Sequence, residues 1–188
     1  MKRMTKDFIN VYDDALPSKD CKNIIDIFDT WPNKGKGCIA DGVYDPKVKD
    51  CQQISLHLYQ NNTINDYLLK ALVKCTPLYT SENPELKLIK YWNIYSGYNI
   101  QQYKPGQGYF DEHCECSAPD NSVYRVLAWM IYLNTVDDGG TYFTNYDKTL
   151  DAVEGRCVIW PAYWTHTHRG ITSHTQTKYI ATGWYNFE

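Results

Sequence analysis

Tyr103-Lys-Pro-Gly-Gln-Gly-Tyr-Phe-Asp-Glu-His-Cys-Glu115 places a histidine and a glutamate two residues apart, after a segment of glycine and aromatic residues. In an extended chain, side chains two positions apart point to the same side. His113 and Glu115 can therefore present an imidazole nitrogen and a carboxylate oxygen together. The stretch predicts a strand that carries two of the ligands of a metal site.

A second stretch, Trp160-Pro-Ala-Tyr-Trp-Thr-His-Thr-His-Arg-Gly170, can supply a third ligand. His166 and His168 lie in it and His174 follows in a polar turn, so the residues alone leave three histidines as candidates. Two histidines and one carboxylate on one side of an ion suit non-haem Fe(II) oxygenases, because the open positions take a chelating cosubstrate and dioxygen. The two stretches together indicate an iron site.

Lys178 lies ten residues after His168, across a stretch that contains Gly170 and can turn the chain back. Its strand, Thr177-Lys-Tyr-Ile-Ala-Thr-Gly-Trp184, is otherwise of the type that lines a barrel, where an unpaired ammonium group would be costly to bury. The lysine therefore predicts a bound anion, such as the far carboxylate of a dicarboxylate whose near end chelates the metal. Thr182 lies on the same face, where it can contact that ligand or a water molecule.

With these residues the chain resembles the Fe(II)/2-oxoglutarate-dependent dioxygenases, and specifically the prolyl 4-hydroxylase-like group in its small bacterial and phage type. That group has a strand with His-x-Asp, a distal histidine and a basic residue at the spacing seen here. The resemblance selects His168 as the third ligand, because its spacing to Lys178 and its following Arg-Gly agree with the pattern. It implies that His113, Glu115 and His168 are the catalytic metal ligands and that Lys178 binds the cosubstrate.

Further positions agree with the resembled group. Its tyrosine ten residues before the first ligand and its tyrosine in a Tyr-Leu-Asn segment flank the cosubstrate, and these are Tyr103 and Tyr132 here. A glycine turn matches Gly139-Gly-Thr-Tyr-Phe143, and a tryptophan after the basic residue matches Trp184. The resemblance also implies that Arg125 and Trp184 are substrate-side positions.

Glu115 departs from the pattern, since the group usually has aspartate at this position. The longer side chain can still reach a metal, but over a different distance, so we expect a displaced metal or weaker activity. Asp111 shares the strand parity of His113 and is the alternative carboxylate, although it precedes the histidine. His166 is the alternative histidine, or a partner of the ligand His168.

The resemblance implies an enzyme, a 2-oxoglutarate-dependent dioxygenase that uses Fe(II), 2-oxoglutarate and dioxygen, with ascorbate as a reductant. 2-Oxoglutarate would become succinate and carbon dioxide while an unactivated C–H bond is hydroxylated. The implied substrate is a proline-containing peptide or protein, which would give 4-hydroxyproline. Two alternatives remain: the same chemistry on a different side chain or small molecule, and a jelly-roll module that binds metal without turnover.

Two helical patterns precede a long series of strand patterns. The helices are predicted over 18–31, with Ser18 as the N-cap, and over 64–79. From Leu86 onward, short segments rich in β-branched and aromatic residues are bounded by Gly, Pro, Asn or Asp. This order predicts a mainly β fold, a double-stranded β-helix or jelly roll, with supporting N-terminal α-helices packed on one sheet.

The 188 residues fit one domain, 1–188, with helical support mainly in 18–82 and the jelly-roll core mainly in 86–187. A net charge of −3 argues against a phosphate-binding surface, so we expect no nucleic acid partner. No run approaches the ~20 apolar residues that cross a bilayer, so we expect no membrane association.

The seven cysteines are an odd number, and no segment like a signal peptide opens the chain. Reduced thiols and a cytoplasmic location follow, in the host cytoplasm if a phage encodes the protein. By the alternation of a strand, Cys114 and Cys116 should point away from the metal. A zinc site on this Cys-x-Cys pair is the alternative, but no second Cys/His pair at zinc-like spacing accompanies it.

Overall fold

The computed structural model describes residues 6–39, 42–60, 62–117 and 121–188, which form two α-helices and ten strands. The helices are α1 (Ser18–Thr30) and α2 (Thr63–Glu82). The strands are β1 (Asn10–Tyr12), β2 (Gly35–Lys36), β3 (Gln52–His57), β4 (Trp92–Tyr103), β5 (Arg125–Tyr132), β6 (Val136–Phe143), β7 (Lys148–Ala152), β8 (Cys157–Pro161), β9 (His168–Ile171) and β10 (Lys178–Phe187).

The strands form two antiparallel sheets. The larger sheet has seven strands in the order β1-β8-β5-β10-β4-β3-β2, and the smaller has three in the order β7-β6-β9. Because neighbours in the larger sheet are mostly distant in sequence, the chain crosses repeatedly between positions, as a jelly roll requires. The mainly β, two-sheet fold predicted from the sequence is confirmed.

Strand β10 shows how the larger sheet separates the helices from a cavity. Tyr179, Ala181 and Tyr185 face the core that contains side chains of α1 and α2, such as Phe28 and Leu68. The intervening residues line the cavity on the other side of the sheet: Lys178, Ile180, Thr182 and Trp184. Because side chains alternate along an extended strand, one face of β10 packs against the helices and the opposite face lines the cavity.

The helix ends differ in detail from the sequence prediction. Ser18 is the first residue of α1 rather than its cap, so that prediction is wrong. Pro17 takes the N-cap position because it is extended, with φ −60° and ψ 144°, and its carbonyl accepts from the amides of Asp20 and Cys21. The second helix begins as expected, with the Asn62 side chain accepting from the Asn65 amide at 3.0 Å.

The strand boundaries also need correction. The segment after Leu86 is not yet a strand, since Pro84–Leu88 form a 3₁₀ helix and the first long strand begins at Trp92. Strand β7 was missed, because its Lys-Thr-Leu-Asp-Ala sequence buries only two side chains and gives a weak pattern. Within the described residues, no helix is both long enough and apolar enough to cross a membrane.

Candidate metal centre and its cavity

Three donor side chains meet in a cavity of about 320 Å³ that residues of both sheets line. Oε1 of Glu115 lies 3.7 Å from Nε2 of His113 and 3.4 Å from Nε2 of His168. All three donor atoms lie within 4.8 Å of one another. The structure therefore brings together the two histidines and the carboxylate that the sequence selected.

The backbone explains why the two histidines are neighbours. His113 and His168 exchange two main-chain hydrogen bonds, each 2.9 Å long, in an isolated antiparallel bridge. His168 opens β9, but His113 lies outside any regular strand, so the predicted His-x-Glu strand is wrong. Pro105 and Gly106, with φ +84°, turn the chain after β4 and interrupt the ladder.

Two backbone carbonyls orient the imidazole rings. Nδ1 of His113 donates to the Asp111 carbonyl at 3.0 Å, and Nδ1 of His168 donates to the His166 carbonyl at 2.9 Å. With the proton on Nδ1, each ring presents the lone pair of Nε2 toward Glu115. This arrangement, a ligand histidine held through its other nitrogen, is typical of metal sites.

The alternative ligands lie elsewhere. The side chain of Asp111 is exposed and does not join the donor cluster, which among the described residues contains only the three selected side chains. His166 is buried, but its Nε2 donates to the Asp7 carbonyl at 2.8 Å, while His174 is exposed. Asp111 and His166 thus contribute to the site through their carbonyls.

Aromatic rings surround the imidazoles. The Tyr109 ring stacks on His113, with centroids 3.6 Å apart and an interplanar angle of 9°. Phe143 and Trp160 pack against the His168 ring at centroid distances of 5.3 and 5.1 Å. These contacts leave each ring little freedom to turn away from the carboxylate.

Glu115 has partners that sequence reasoning missed. Nε1 of Trp184 donates to Glu115 Oε2 at 2.7 Å, and Arg125 Nη1 donates to the Glu115 main-chain carbonyl at 2.7 Å. The Arg125 guanidinium lies 3.7 Å above the Trp184 ring. The two positions predicted on the substrate side thus hold the carboxylate, a role that no local pattern in the sequence signals.

The protonation states of the donors favour metal binding. Burial alone would raise the pKa of Glu115, but the influence of the adjacent His113 and His168 outweighs it and holds the pKa well below its usual value. Burial, together with repulsion from His168, lowers the pKa of His113. At neutral pH the carboxylate is charged and the His113 imidazole is neutral, which are the forms that coordinate metals.

The donor spacing also fits an ion. Donors bound at about 2.1 Å and at right angles lie about 3 Å apart, and the distances from Glu115 Oε1 to the two Nε2 atoms are 3.4 and 3.7 Å. Small side-chain shifts close this difference. Two imidazoles with one carboxylate are the donors that non-haem Fe(II) sites use, so these residues fit that metal.

Lys178 is buried in the same cavity, at 4% exposure. Its Nζ donates to the Ile171 carbonyl at 2.7 Å and the Gly140 carbonyl at 3.4 Å, and no carboxylate among the described residues forms an ion pair with it. Burial lowers its pKa to about 8. No described carboxylate of the protein therefore neutralises this ammonium group. An anionic ligand bound in the cavity would do so, as the sequence predicted.

The other predicted cosubstrate residues also line the cavity. The Tyr132 hydroxyl lies 2.7 Å from Thr141 Oγ1, and the Tyr103 hydroxyl donates to Gln101 Oε1 at 2.8 Å. Thr182 Oγ1 donates to the Trp129 carbonyl at 3.2 Å. The polar groups around Lys178 are thus already oriented by the protein.

The cavity contains residues that the sequence analysis assigned elsewhere or passed over. Cys114 lines it, but its Sγ donates to the Cys116 carbonyl at 3.2 Å and is not part of the donor cluster. All seven cysteines are free thiols. Cys38, Ile39 and Lys49, from the segment between β2 and β3, also line the cavity.

Comparisons with known proteins agree with this geometry. A family model described as the 2OG-Fe(II) oxygenase superfamily matches residues 98–186. None of the curated proteins matches the chain in sequence.

Solved prolyl hydroxylases share the fold over nearly the whole chain. A viral collagen prolyl hydroxylase from Paramecium bursaria Chlorella virus-1, in its 2OG complex, has a TM-score of 0.71 at 19% identity and covers 96% of this chain and 97% of its own. A Pseudomonas putida prolyl-4-hydroxylase gives 0.72 at 16% identity, covering 96% and 94%. A Trichoplax adhaerens prolyl hydroxylase, in complex with a peptide fragment of the hypoxia inducible factor oxygen degradation domain, gives 0.74 at 15% identity, covering 97% and 84%.

The structural likeness concerns the fold, and the sequence match concerns the part of the chain in which the donor cluster and Lys178 lie. Together they identify residues 98–186 as similar to the 2OG-Fe(II) oxygenase superfamily, in a chain that has the fold of the prolyl hydroxylases.

Proposed function

We propose that the protein hydroxylates a prolyl residue of a peptide or protein substrate, with Fe(II), 2-oxoglutarate and dioxygen. The observation that carries the proposal is the occurrence of both a three-donor cluster and an unpaired buried lysine in one cavity. The fold, which is that of prolyl hydroxylases, favours a prolyl substrate over other side chains.

His113, Glu115 and His168 would hold the iron. When bound, iron with 2-oxoglutarate and dioxygen supplies the oxidation of an unactivated C–H bond, while 2-oxoglutarate becomes succinate and carbon dioxide. The protein's part is to keep the two Nε2 atoms and the carboxylate aimed at one point. Backbone carbonyls of Asp111 and His166 do this for the rings.

Lys178 would bind the far carboxylate of 2-oxoglutarate. Its ammonium group would gain a charged acceptor in place of the long contact with the Gly140 carbonyl. The Tyr132 hydroxyl would turn from Thr141 to donate to the same carboxylate, and Thr182 lines the cavity from β10, the strand that also carries Lys178. These contacts fix the orientation of the cosubstrate before the substrate enters.

The cavity walls would keep water from the reaction. Met130, Trp160 and Ile180 line the cavity and are each less than 8% exposed. Exclusion of water strengthens the electrostatic contacts inside the site and protects the oxidising equivalents for the substrate.

The test measures succinate formed from 2-oxoglutarate, with Fe(II) and air, in the presence and absence of proline-containing peptides. Mass spectrometry checks whether the peptide gains one oxygen atom. His168→Ala should abolish succinate formation and metal retention, whereas His174→Ala, at an exposed histidine of the same region, should preserve both. Ascorbate, the proposed reductant, should increase the number of turnovers before inactivation.

The alternatives give different results in the same assay. Succinate without any oxidised proline peptide would indicate the same chemistry on another substrate. A protein that retains metal but forms no succinate under any of these conditions would be a binding module, and the proposal would fail.

A further inference from the structure

Lys49 is a second buried lysine in the cavity, and nothing in the proposed reaction uses it. It lies in the loop before β3 and is only 6% exposed. Its Nζ donates to the Cys38 carbonyl at 3.2 Å and lies 5.2 Å from the centroid of the Tyr109 ring. Among the described residues no carboxylate forms an ion pair with it.

Within the described part of the chain, the surroundings of Lys49 leave its charge without a counterion. An ammonium group has three N–H donors, and the described residues supply one acceptor and an aromatic face. Removing such a charge from water without an anionic partner is costly. A buried lysine that lines a ligand cavity is therefore expected to meet its anion when the cavity is filled.

The charges of the cavity lining identify which ligand brings that anion. The permanently charged lining residues are Lys49, Arg125 and Lys178, and Glu115 is the one carboxylate among the lining residues that the structure describes. Arg125 lies 3.6 Å from Glu115 Oε2, and Lys178 is assigned to 2-oxoglutarate. With Arg125 beside Glu115 and Lys178 assigned to 2-oxoglutarate, Lys49 is the cationic lining side chain that remains for the substrate.

The position of Lys49 separates it from the residues that hold Lys178. Its main chain is bridged to Tyr109, whose ring stacks on the ligand His113, whereas the Lys178 ammonium bonds to carbonyls of β6 and β9. Lys49 thus belongs to the part of the cavity that Cys38 and Ile39 also line.

We propose that Lys49 binds a carboxylate of the substrate, so that the peptide hydroxylated at this site is acidic close to the reacting residue. The inference rests on the proposed function, because it takes the substrate to be a proline-containing peptide. The carboxylate is an aspartate or glutamate side chain or the carboxyl terminus of the chain. It would approach Lys49 from the cavity and replace the Cys38 carbonyl as the main acceptor.

The experiment compares matched synthetic peptides for binding to the metal-loaded, 2-oxoglutarate-loaded protein under nitrogen. Each peptide is an alanine chain with one central proline and capped ends. At one further position it carries either glutamate or glutamine, and the set of pairs covers all positions around the proline. A further peptide carries no glutamate but has a free C-terminal carboxylate, which distinguishes the two sources of the anion. Wild-type protein should bind one of the carboxylate peptides at least tenfold more tightly than its neutral counterpart.

Variants locate the preference. Lys49→Met keeps the apolar stem and removes the charge, and it should bind the charged and neutral peptides equally. Lys49→Arg should retain much of the preference, because its guanidinium stays charged. Lys47→Met is the matched control: it makes the same substitution two residues away at an exposed lysine, and it should preserve the preference in full.

Three results would overturn the inference. The first is equal binding of the paired peptides to wild-type protein, including failure of both to bind. The second is a preference for the charged peptide that persists in Lys49→Met. The third is a loss of 2-oxoglutarate affinity in Lys49→Met that is as large as its loss of peptide affinity. Thermal unfolding of Lys49→Met checks that it is folded. The proposed function fails separately, if wild-type protein forms no succinate, and the binding comparison does not depend on that result.

Discussion

Glu115 carries its carboxylate on a side chain one methylene longer than the usual aspartate, and its contacts show how the longer side chain is held. Trp184 Nε1 donates to Oε2 at 2.7 Å, which leaves Oε1 facing the two imidazoles. Arg125 stacks on the indole and bonds to the Glu115 carbonyl. Trp184 is therefore a positioning residue for the metal ligand.

Replacement of Trp184 should weaken metal binding while the fold is kept. Trp184→Phe keeps the ring under Arg125 but removes the N–H donor, so Glu115 gains freedom to rotate. Loss of such a contact to a ligand typically costs about 10- to 100-fold in metal affinity. Titration with Co(II), followed by its visible absorption, measures this without turnover.

The matched control is Trp164→Phe, because Trp164 is 74% exposed and does not line the cavity. Its Co(II) affinity should equal that of wild-type protein. Equal affinities in Trp184→Phe and wild-type protein would show that Glu115 is held by its other contacts alone.

Lys178 should give 2-oxoglutarate binding a distinct pH dependence. Burial lowers its pKa to about 8, so the ammonium is charged below that pH and increasingly neutral above it. Binding of the dianion then requires uptake of a proton, and affinity should fall up to about tenfold per pH unit above about pH 8. Titrations of 2-oxoglutarate into the Mn(II)-loaded protein at a series of pH values measure the slope.

Lys178→Arg separates this effect from the titration of other groups. The guanidinium remains charged over the whole range, so the variant should lack the decline above about pH 8, whatever its affinity at neutral pH. A decline of the same slope in the arginine variant would assign the pH dependence to another residue.

At the scale of the elements, alternation along β10 was sufficient to place Lys178, Thr182 and Trp184 on one face. Alternation could not predict the contact between Trp184 and Glu115, because the two residues are 69 positions apart. They meet because the loop after β4 carries Glu115 back to the cavity. The same loop explains the wrong strand at His113. Side chains alternate with a period of two in regular strand ladders, whereas His113 is paired with His168 by a single isolated bridge.

Lys49 shows a second limit of sequence reasoning at this scale. It lies in a loop without periodicity, and only the packing of that loop over the cavity buries it. His168, the histidine selected from the sequence, lies in the donor cluster, and its position has a different basis. Its spacing to Lys178 spans β9 and the start of β10, whose lengths are set by regular pairing.

Strand β6 depends on Gly140, where the backbone has φ +128°. A Cβ atom at this position would overlap the carbonyl oxygen of Leu150 in the paired strand β7. Gly140→Ala should therefore lower the free energy of unfolding by about 2–4 kcal/mol. Because the Gly140 carbonyl accepts from Lys178, the KM for 2-oxoglutarate should rise as well.

Urea unfolding and succinate kinetics test both parts of this expectation. Gly35→Ala is the control in a strand, since the nearest atom to its added Cβ is 3.7 Å away and its φ is not positive. That variant should change the free energy of unfolding by less than about 1 kcal/mol. A Gly140→Ala protein as stable as Gly35→Ala would mean that β6 and β7 can separate without cost.

At the scale of the whole molecule, the candidate site joins parts of the chain that are far apart in sequence. His113 and Glu115 come from the loop after β4, His168 from β9 and Lys178 from β10. The two-sheet fold was predictable because strand patterns recur from β4 onward. The convergence of the donors follows from the crossing connections of the sheets, which composition and periodicity do not encode.

Metal and 2-oxoglutarate should therefore stabilise the molecule as a whole, because they bind groups that only the folded chain brings together. A ligand at about 100 times its dissociation constant adds about 2.7 kcal/mol to the free energy of unfolding. For a chain of this size that corresponds to a rise of about 5–10 °C in the unfolding midpoint. Calorimetry with Mn(II) and 2-oxoglutarate, and again after chelation, measures the shift. His168→Ala should lose the metal-dependent part, and His174→Ala should keep it. An equal shift in both variants would mean that the stabilising ion binds outside the cluster of His113, Glu115 and His168.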